Sequence, residues 1–206
     1  MFVNKLKNNK LSNLCSINIF RTNKFLLLIL LLIYSLNSYT NSFENNERAE
    51  FKVYYKIAGV WVKAGNVTFS VEQSKLNNKT VWFFHSEGYS LSTYDWFFKV
   101  RETFQAWVDT ETLVPYKAIR SGYEGGFEIY EEYNFNDDKI CSKVFSSSKP
   151  LRIDTLKLQR ITYDLLTAIY YVRNMDFSNL KINEKRYFWT IIFGKIYPLY
   201  VRYHGR

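Results

Sequence analysis

The chain has 206 residues, enough for one well-buried core and short for two. Its 28 basic and 19 acidic side chains give a formal charge of +9, which at first suits a nucleic-acid or anionic-membrane partner. Lys5, Lys7, Lys10, Arg21 and Lys24 all precede the first acid, however, and the remainder is only mildly basic with its signs interleaved, so no nucleic-acid-binding stripe is left.

Positions 25–34 read Phe-Leu-Leu-Leu-Ile-Leu-Leu-Leu-Ile-Tyr, an unbroken apolar run preceded by Arg21 and Lys24 and followed by polar Ser35, Asn37 and Ser38. That is the layout of a signal peptide, and the run is short for a helix that must cross about 30 Å of hydrocarbon. The reading is cleavage near Ser38 to Thr40, with export of the rest of the chain. The alternative keeps residues 25–39 as a single N-terminal anchor; in both cases the positive residues stay on the cytoplasmic side. Cys15 lies upstream of the run, so the lipid-attachment pattern is missing, and without the leader Cys141 has no disulfide partner. With only His85 and His204 available, neither a Cys-His nucleophile nor a zinc site has a recognised motif, and no cofactor is expected.

Residues 41–49 are polar and read as a linker into one domain spanning 50–206. Phe51, Val53, Tyr55 and Ile57 alternate with polar or half-polar neighbours, as do Val67, Phe69 and Val71, at the two-residue period of half-buried strands. After turn chemistry at 74–79, Thr80 to Glu87 is apolar on both sides and should lie centrally. Alternation returns from Arg101 to Asp109. Further strands are expected at 114–121, 127–135 and 140–146, with turns at 122–126 and 136–139. Leu165, Leu166, Ile169, Tyr170 and Val172 break this period with helical spacing, which predicts a helix over 162–173 with Thr162 at its cap and Asp164 in its first turn. Strands resume at 187–193 and 196–203 through Gly194-Lys195. The expected fold is mainly β, a curved antiparallel sheet or open barrel with one packed helix.

Ser-Thr-Tyr-Asp-Trp-Phe-Phe-Lys-Val-Arg at 92–101, Asp-Thr-Glu-Thr-Leu-Val-Pro at 109–115, and Thr-Tyr-Asp-Leu-Leu-Thr-Ala-Ile-Tyr-Tyr-Val-Arg at 162–173 succeed one another in this order, after Gly59 and Gly65. From about residue 50 onward the chain resembles the bacterial family catalogued as domain of unknown function 3108. The resemblance implies an exported protein of the Gram-negative envelope, periplasmic or envelope-associated, and carries over no catalytic residue. Members usually continue for several more strands, so this chain looks shortened, and residues 187–203 are expected to form an exposed edge open to pairing.

The candidate ligand-binding residues are Trp96, Phe97, Phe98, Glu102 and Glu131. The three rings lie between two strands, where a loop can present them as a lip for lipid or glycan; filling the core is the plainer reading. Strict alternation puts Glu102 in register with Val100, Phe104 and Ala106, and Glu131 with Ile129 and Tyr133, both on apolar faces. A buried carboxylate is costly unless paired. Either these two anchor a ligand or work as an acid/base pair, with Arg101 or Arg120 as partners, or a bulge or strand end turns them outward. Gly122 to Gly126 lacks the spacing of a phosphate-binding loop. Asp109 with Thr112 and Pro115 reads as a structural turn. The Asn66 and Asn78 glycosylation acceptors would matter only in a eukaryotic secretory route.

The leading expectation is a non-enzymatic binding or carrier module for an apolar or glycan ligand. An envelope scaffold with a stable protein partner comes second, and a hydrolase using paired carboxylates third. A membrane-spanning barrel comes last, because the charged strand faces suit water.

Overall fold

Alternation of apolar and polar residues drives most of the described residues into strands, and short connections, four of them two-residue turns, join eight of these into a meander. The computed structural model describes residues 41–205; the hydrophobic run at 25–34 and its leader lie outside the described residues. β1 (Arg48–Ile57), β2 (Val60–Leu76), β3 (Lys79–Ser90), β4 (Val100–Asp109), β5 (Pro115–Glu124), β6 (Phe127–Phe135), β7 (Lys139–Ser146) and β8 (Lys149–Lys157) form one open antiparallel sheet in chain order. A second sheet has the order β11 (Lys195–Arg202), β10 (Lys185–Ile192), β9 (Thr162–Tyr163), with β9 parallel to β10. A short helix, α1 (Asp95–Phe98), links β3 to β4, and α2 (Leu165–Arg173) links β9 to β10. The expected mainly β fold, an antiparallel sheet that does not close and one packed helix, is observed; the 187–203 strands form a separate sheet rather than extending the large one.

The hairpin turns explain much of the register. Ala58-Gly59, Asn77-Asn78, Gly125-Gly126 and Phe193-Gly194 each close a two-residue loop with both φ angles positive, the geometry whose twist matches antiparallel strands. Two expected turns are therefore narrower than the sequence suggests. β2 continues through Ser74 to Leu76, and Gly122 lies inside β5 rather than in the turn. β8 has no counterpart among the expected strands: it is an edge strand with Pro150 near its start and Leu151 and Ile153 facing solvent, so no buried apolar face marks it.

The helix also needs correction. Thr162 and Tyr163 pair with Trp189 and Thr190 of β10, so the helix begins at Leu165, and Asp164 rather than Thr162 is its cap. The Asp164 carboxylate accepts the backbone N–H groups of Leu166 (2.9 Å) and Thr167 (3.1 Å) as well as the Thr167 hydroxyl, which satisfies otherwise orphaned donors in a buried site.

The core lies on one half of the large sheet's concave face. Phe84, Val71, Ala106, Val108 and Ile140 pack there with Leu166 and Tyr170 of α2 and Ile191 of β10, and the Tyr170 ring stacks on Phe84 at 4.0 Å. Phe43, within the segment read as a linker, is 4% exposed and meets Trp82, Phe84 and Tyr170 edge-on. In the second sheet β10 is central, so of the stretch expected as an exposed edge only β11 has an unpaired side among the described residues. No helix among the described residues is long and apolar enough to cross a membrane.

Candidate functional site

The concave residues of β3 shrink along the strand. Trp82 and Phe84 fill the core end, then Ser86, Gly88 and Ser90 follow on the same face, and the space they leave is not filled by neighbours. A cavity of about 950 Å³ lies there, between β1 to β4 and α2, with Phe188 of β10 and Leu199 of β11 also on its wall. A β-bulge helps to shape it. Val53 pairs with Gly65 but Tyr54 pairs with Lys63, so Ala64 is the extra residue and the inward set of β2 switches from Gly65, Val67 and Phe69 to Ala64 and Val62. Gly65 is needed for close approach, since a Cβ there would lie 2.4 Å from the Tyr89 carbonyl oxygen.

At the mouth, Tyr94, Phe97 and Phe98 line the cavity. Trp96 is 84% exposed and Phe97 77% exposed, so these rings do not fill the core; they form the lip, with Trp96 just outside the lining. Ser90 and Arg101 fix this turn. The Ser90 hydroxyl donates to Asp95 (2.6 Å) and accepts from the Val100 N–H (2.9 Å), and Arg101 donates to both Asp95 oxygens. The Arg101 hydrogen bond holds the Asp95 carboxyl below its usual range. The Phe98 ring lies against Gly125, where a Cβ would fall 2.3 Å from a ring atom.

Among the described residues lining the cavity, Glu102 is the charged one. Arg120 grips it with two hydrogen bonds, Nε to Oε2 at 3.0 Å and Nη2 to Oε1 at 3.2 Å, and reaches Glu124 at 3.3 Å and Glu131 at 3.4 Å. Gly122, opposite Glu102 in the ladder, makes room, because a Cβ would lie 2.1 Å from the Glu102 oxygen. Burial pushes the Glu102 carboxyl above its ordinary value; Arg120 opposes this and Glu124 adds to it.

Glu131 is 2% exposed and points inward, so neither a bulge nor a strand end turns it out. It does not reach the large cavity. Its Oε1 accepts the Tyr133 hydroxyl (2.5 Å) and the Phe193 N–H (2.6 Å), while Gly194 N–H donates to the Tyr133 oxygen (3.0 Å). Glu131 therefore holds the β10–β11 turn against the large sheet. Burial, with the Glu131 carboxylate beside it, raises the Tyr133 phenol far above its ordinary value and keeps it a donor. The Phe193 backbone, at φ 51° in a region bulky residues avoid, is held by these bonds and by Arg152, which donates to its carbonyl at 3.1 Å.

A model of the family described as protein of unknown function (DUF3108) matches residues 50–206. The chain belongs to this family. No curated protein and no solved structure matches it. The matched span of this DUF3108 chain contains every residue that lines the cavity, from Val53 to Leu199. The segments behind the resemblance have distinct jobs. Residues 92–101 build the lip, Asp109 closes the turn at 109–115 by accepting from Thr112 (2.9 Å) and Tyr116 (2.8 Å), and 162–173 supplies the capped helix.

The two carboxylates singled out in the sequence thus converge on one guanidinium, and Arg120 rather than Arg101 is the partner. In this DUF3108 domain Arg120 bridges the two carboxylates, and Glu131 is also engaged by the Tyr133 hydroxyl and the Phe193 N–H. Sequence reasoning misses Tyr133, Gly88, Gly122 and the bulge at Ala64 as site residues. Gly88 carries a signal, as a glycine inside an otherwise continuous strand, whereas Gly122 is hidden by the glycines of the turn that follows it.

Proposed function

We propose that this domain is a non-enzymatic carrier for a single-chain amphiphile whose apolar tail occupies the cavity and whose head, not an anion, meets Glu102. The observation that carries the reading is the empty apolar space left by Ser86, Gly88 and Ser90, bounded by α2. Its volume of about 950 Å³ falls within the range of small-ligand sites, roughly 300–1,000 Å³. Each buried methylene contributes about 0.8 kcal/mol, so a chain of about ten gains roughly 8 kcal/mol gross before ordering costs. A glycan is disfavoured because the wall offers few hydrogen-bonding groups. The head preference rests on charge: among the described residues Glu102 is the one charged group on the wall, and behind it Arg120 is shared among Glu102, Glu124 and Glu131, so that wall offers no free cation to an anionic head. Export through the N-terminal hydrophobic run, into an envelope compartment, supports a lipid-handling role.

The test is displacement of an environment-sensitive dye from the purified protein by dodecanol, dodecylamine and dodecanoate. The alcohol and amine should saturate one site, with dodecanoate much weaker at neutral pH. If no chain binds, the carrier reading fails; if dodecanoate binds as tightly as the others, the carrier stands and the head preference fails.

A further inference from the structure

The cavity's open end carries an aromatic surface that the carrier reading does not require. β1 and β2 run past the rest of the sheet: Gly65 pairs with Ser90, the last residue of β3, and β2 begins at Val60. At about 3.3 Å per residue the tip of this hairpin stands some 16 Å beyond β3. α1 lies at the same end, since it joins the end of β3 to the start of β4 and the Leu91 N–H donates to the Ala64 carbonyl (2.9 Å).

Both projections expose rings. Tyr54, Tyr55, Val60 and Trp61 are exposed on the hairpin, Trp61 by 66%, and Trp96, Phe97 and Phe98 are exposed on α1. Tyr55 and Phe97 also line the cavity, so the two tips flank its mouth. The charges on the hairpin tip are of one sign. Lys56 and Lys63 lie on the hairpin, which has no acid between residues 54 and 64, and Lys99 follows α1. Asp95 of α1 is paired with Arg101, while Glu124 shares Arg120 with Glu102 and Glu131 on the β4–β5 side, away from the hairpin tip. The Lys56 ammonium lies 6.0 Å over the Trp61 ring.

Exposed Trp and Phe beside lysines, with no acid on the hairpin tip itself, is the composition of a surface that settles into the headgroup layer of a bilayer. We propose that the hairpin tip and α1 dock this domain onto a membrane rich in anionic lipid, with the cavity mouth facing the bilayer. The lysines select the anionic headgroups and the rings insert below them. The commitment is to a lipid surface, because a protein partner would have no need of rings on both faces of a two-stranded tip.

Brominated lipids that quench tryptophan on contact provide the test, with the full chain on mixed phosphatidylcholine and phosphatidylglycerol vesicles. Residues 1–40 contain no Trp, so quenching reports the domain and not the N-terminal segment. Wild-type emission should be quenched, and Trp61→Phe with Trp96→Phe, which keeps the rings apolar, should abolish most of the effect. Replacing Lys56, Lys63 and Lys99 by Gln should weaken docking about fivefold per lysine, as should leaving out phosphatidylglycerol. Absent quenching, quenching that survives the double Trp→Phe change, or quenching indifferent to anionic lipid would each overturn the proposal. A failure to bind dodecyl chains leaves this result untouched.

Discussion

Gly88→Leu separates an empty cavity from a merely loose one by the sign of its effect. The Gly88 backbone does not need glycine: its φ is not positive, and an added Cβ would make ordinary contacts, 3.5 Å to Val67 and 3.8 Å to Glu102. A leucine would extend into space now bounded by apolar groups. Burying it is worth about 2–3 kcal/mol, and restricting the unfolded chain adds about 0.5–1 kcal/mol. Side-chain ordering costs about 0.5–1 kcal/mol. The ligand-free protein should therefore gain about 2 kcal/mol, a rise in Tm of about 4–8 °C for a chain of this size. The leucine also takes up apolar wall that a bound chain would otherwise cover, so dodecanol affinity should fall, by about fourfold for each methylene displaced. Thermal unfolding and dye displacement on one preparation measure both. A variant destabilised by about 1–3 kcal/mol, the signature of overpacking, would show that the space is already needed by its neighbours and would refute the reasoning.

Glu131→Ala should destabilise by about 2–4 kcal/mol in urea unfolding, because it leaves the Tyr133 hydroxyl and the Phe193 N–H without their acceptor in a buried site, while Arg120 keeps Glu102 and Glu124; Glu131→Gln should recover part of that. Asp164→Ala should cost about 2–3 kcal/mol by leaving two backbone donors and the Thr167 hydroxyl unsatisfied, with Asp164→Asn milder by the same assay. Arg173 donates to Glu47 and holds its carboxyl below 4.5. A lowered folded-state value means that the stabilisation is present above 4.5 and is lost as pH falls through the folded value. The pair is partly solvated, so Arg173→Ala should cost only about 0.5–1 kcal/mol at neutral pH, and the gap from wild type should close under acid.

Period and turn chemistry make most strands legible because one face of each is buried against the core. They fail at β8, where Leu151 and Ile153 face solvent and only Leu156 packs on the core, and at Thr162-Tyr163, where a two-residue parallel pairing leaves no periodic trace and shifts the cap to Asp164. The inward register of Glu102 and Glu131 comes from alternation alone. What alternation cannot supply is the partner across the sheet, so Arg120 stands as one option beside Arg101, and the clamp on the β10–β11 turn joins residues 62 positions apart. The cavity is illegible for a different reason: it is made by small residues, and Ser86, Gly88 and Ser90 read in sequence only as a strand losing hydrophobicity.

The meander has a consequence for how the molecule opens. Each strand from β1 to β8 pairs with its neighbour in sequence, so the large sheet can zip up through local hairpins, with little loop closure to overcome. The roof over its concave face is supplied later in the chain by α2 and β10–β11, tied down by Glu131 to Phe193 and Glu47 to Arg173. This order predicts that roof and sheet open as separate cooperative units. Amides of α2 and β10 should exchange through a partial opening that leaves β3 to β6 protected, and that same opening would admit or release a molecule from the cavity without unfolding the sheet.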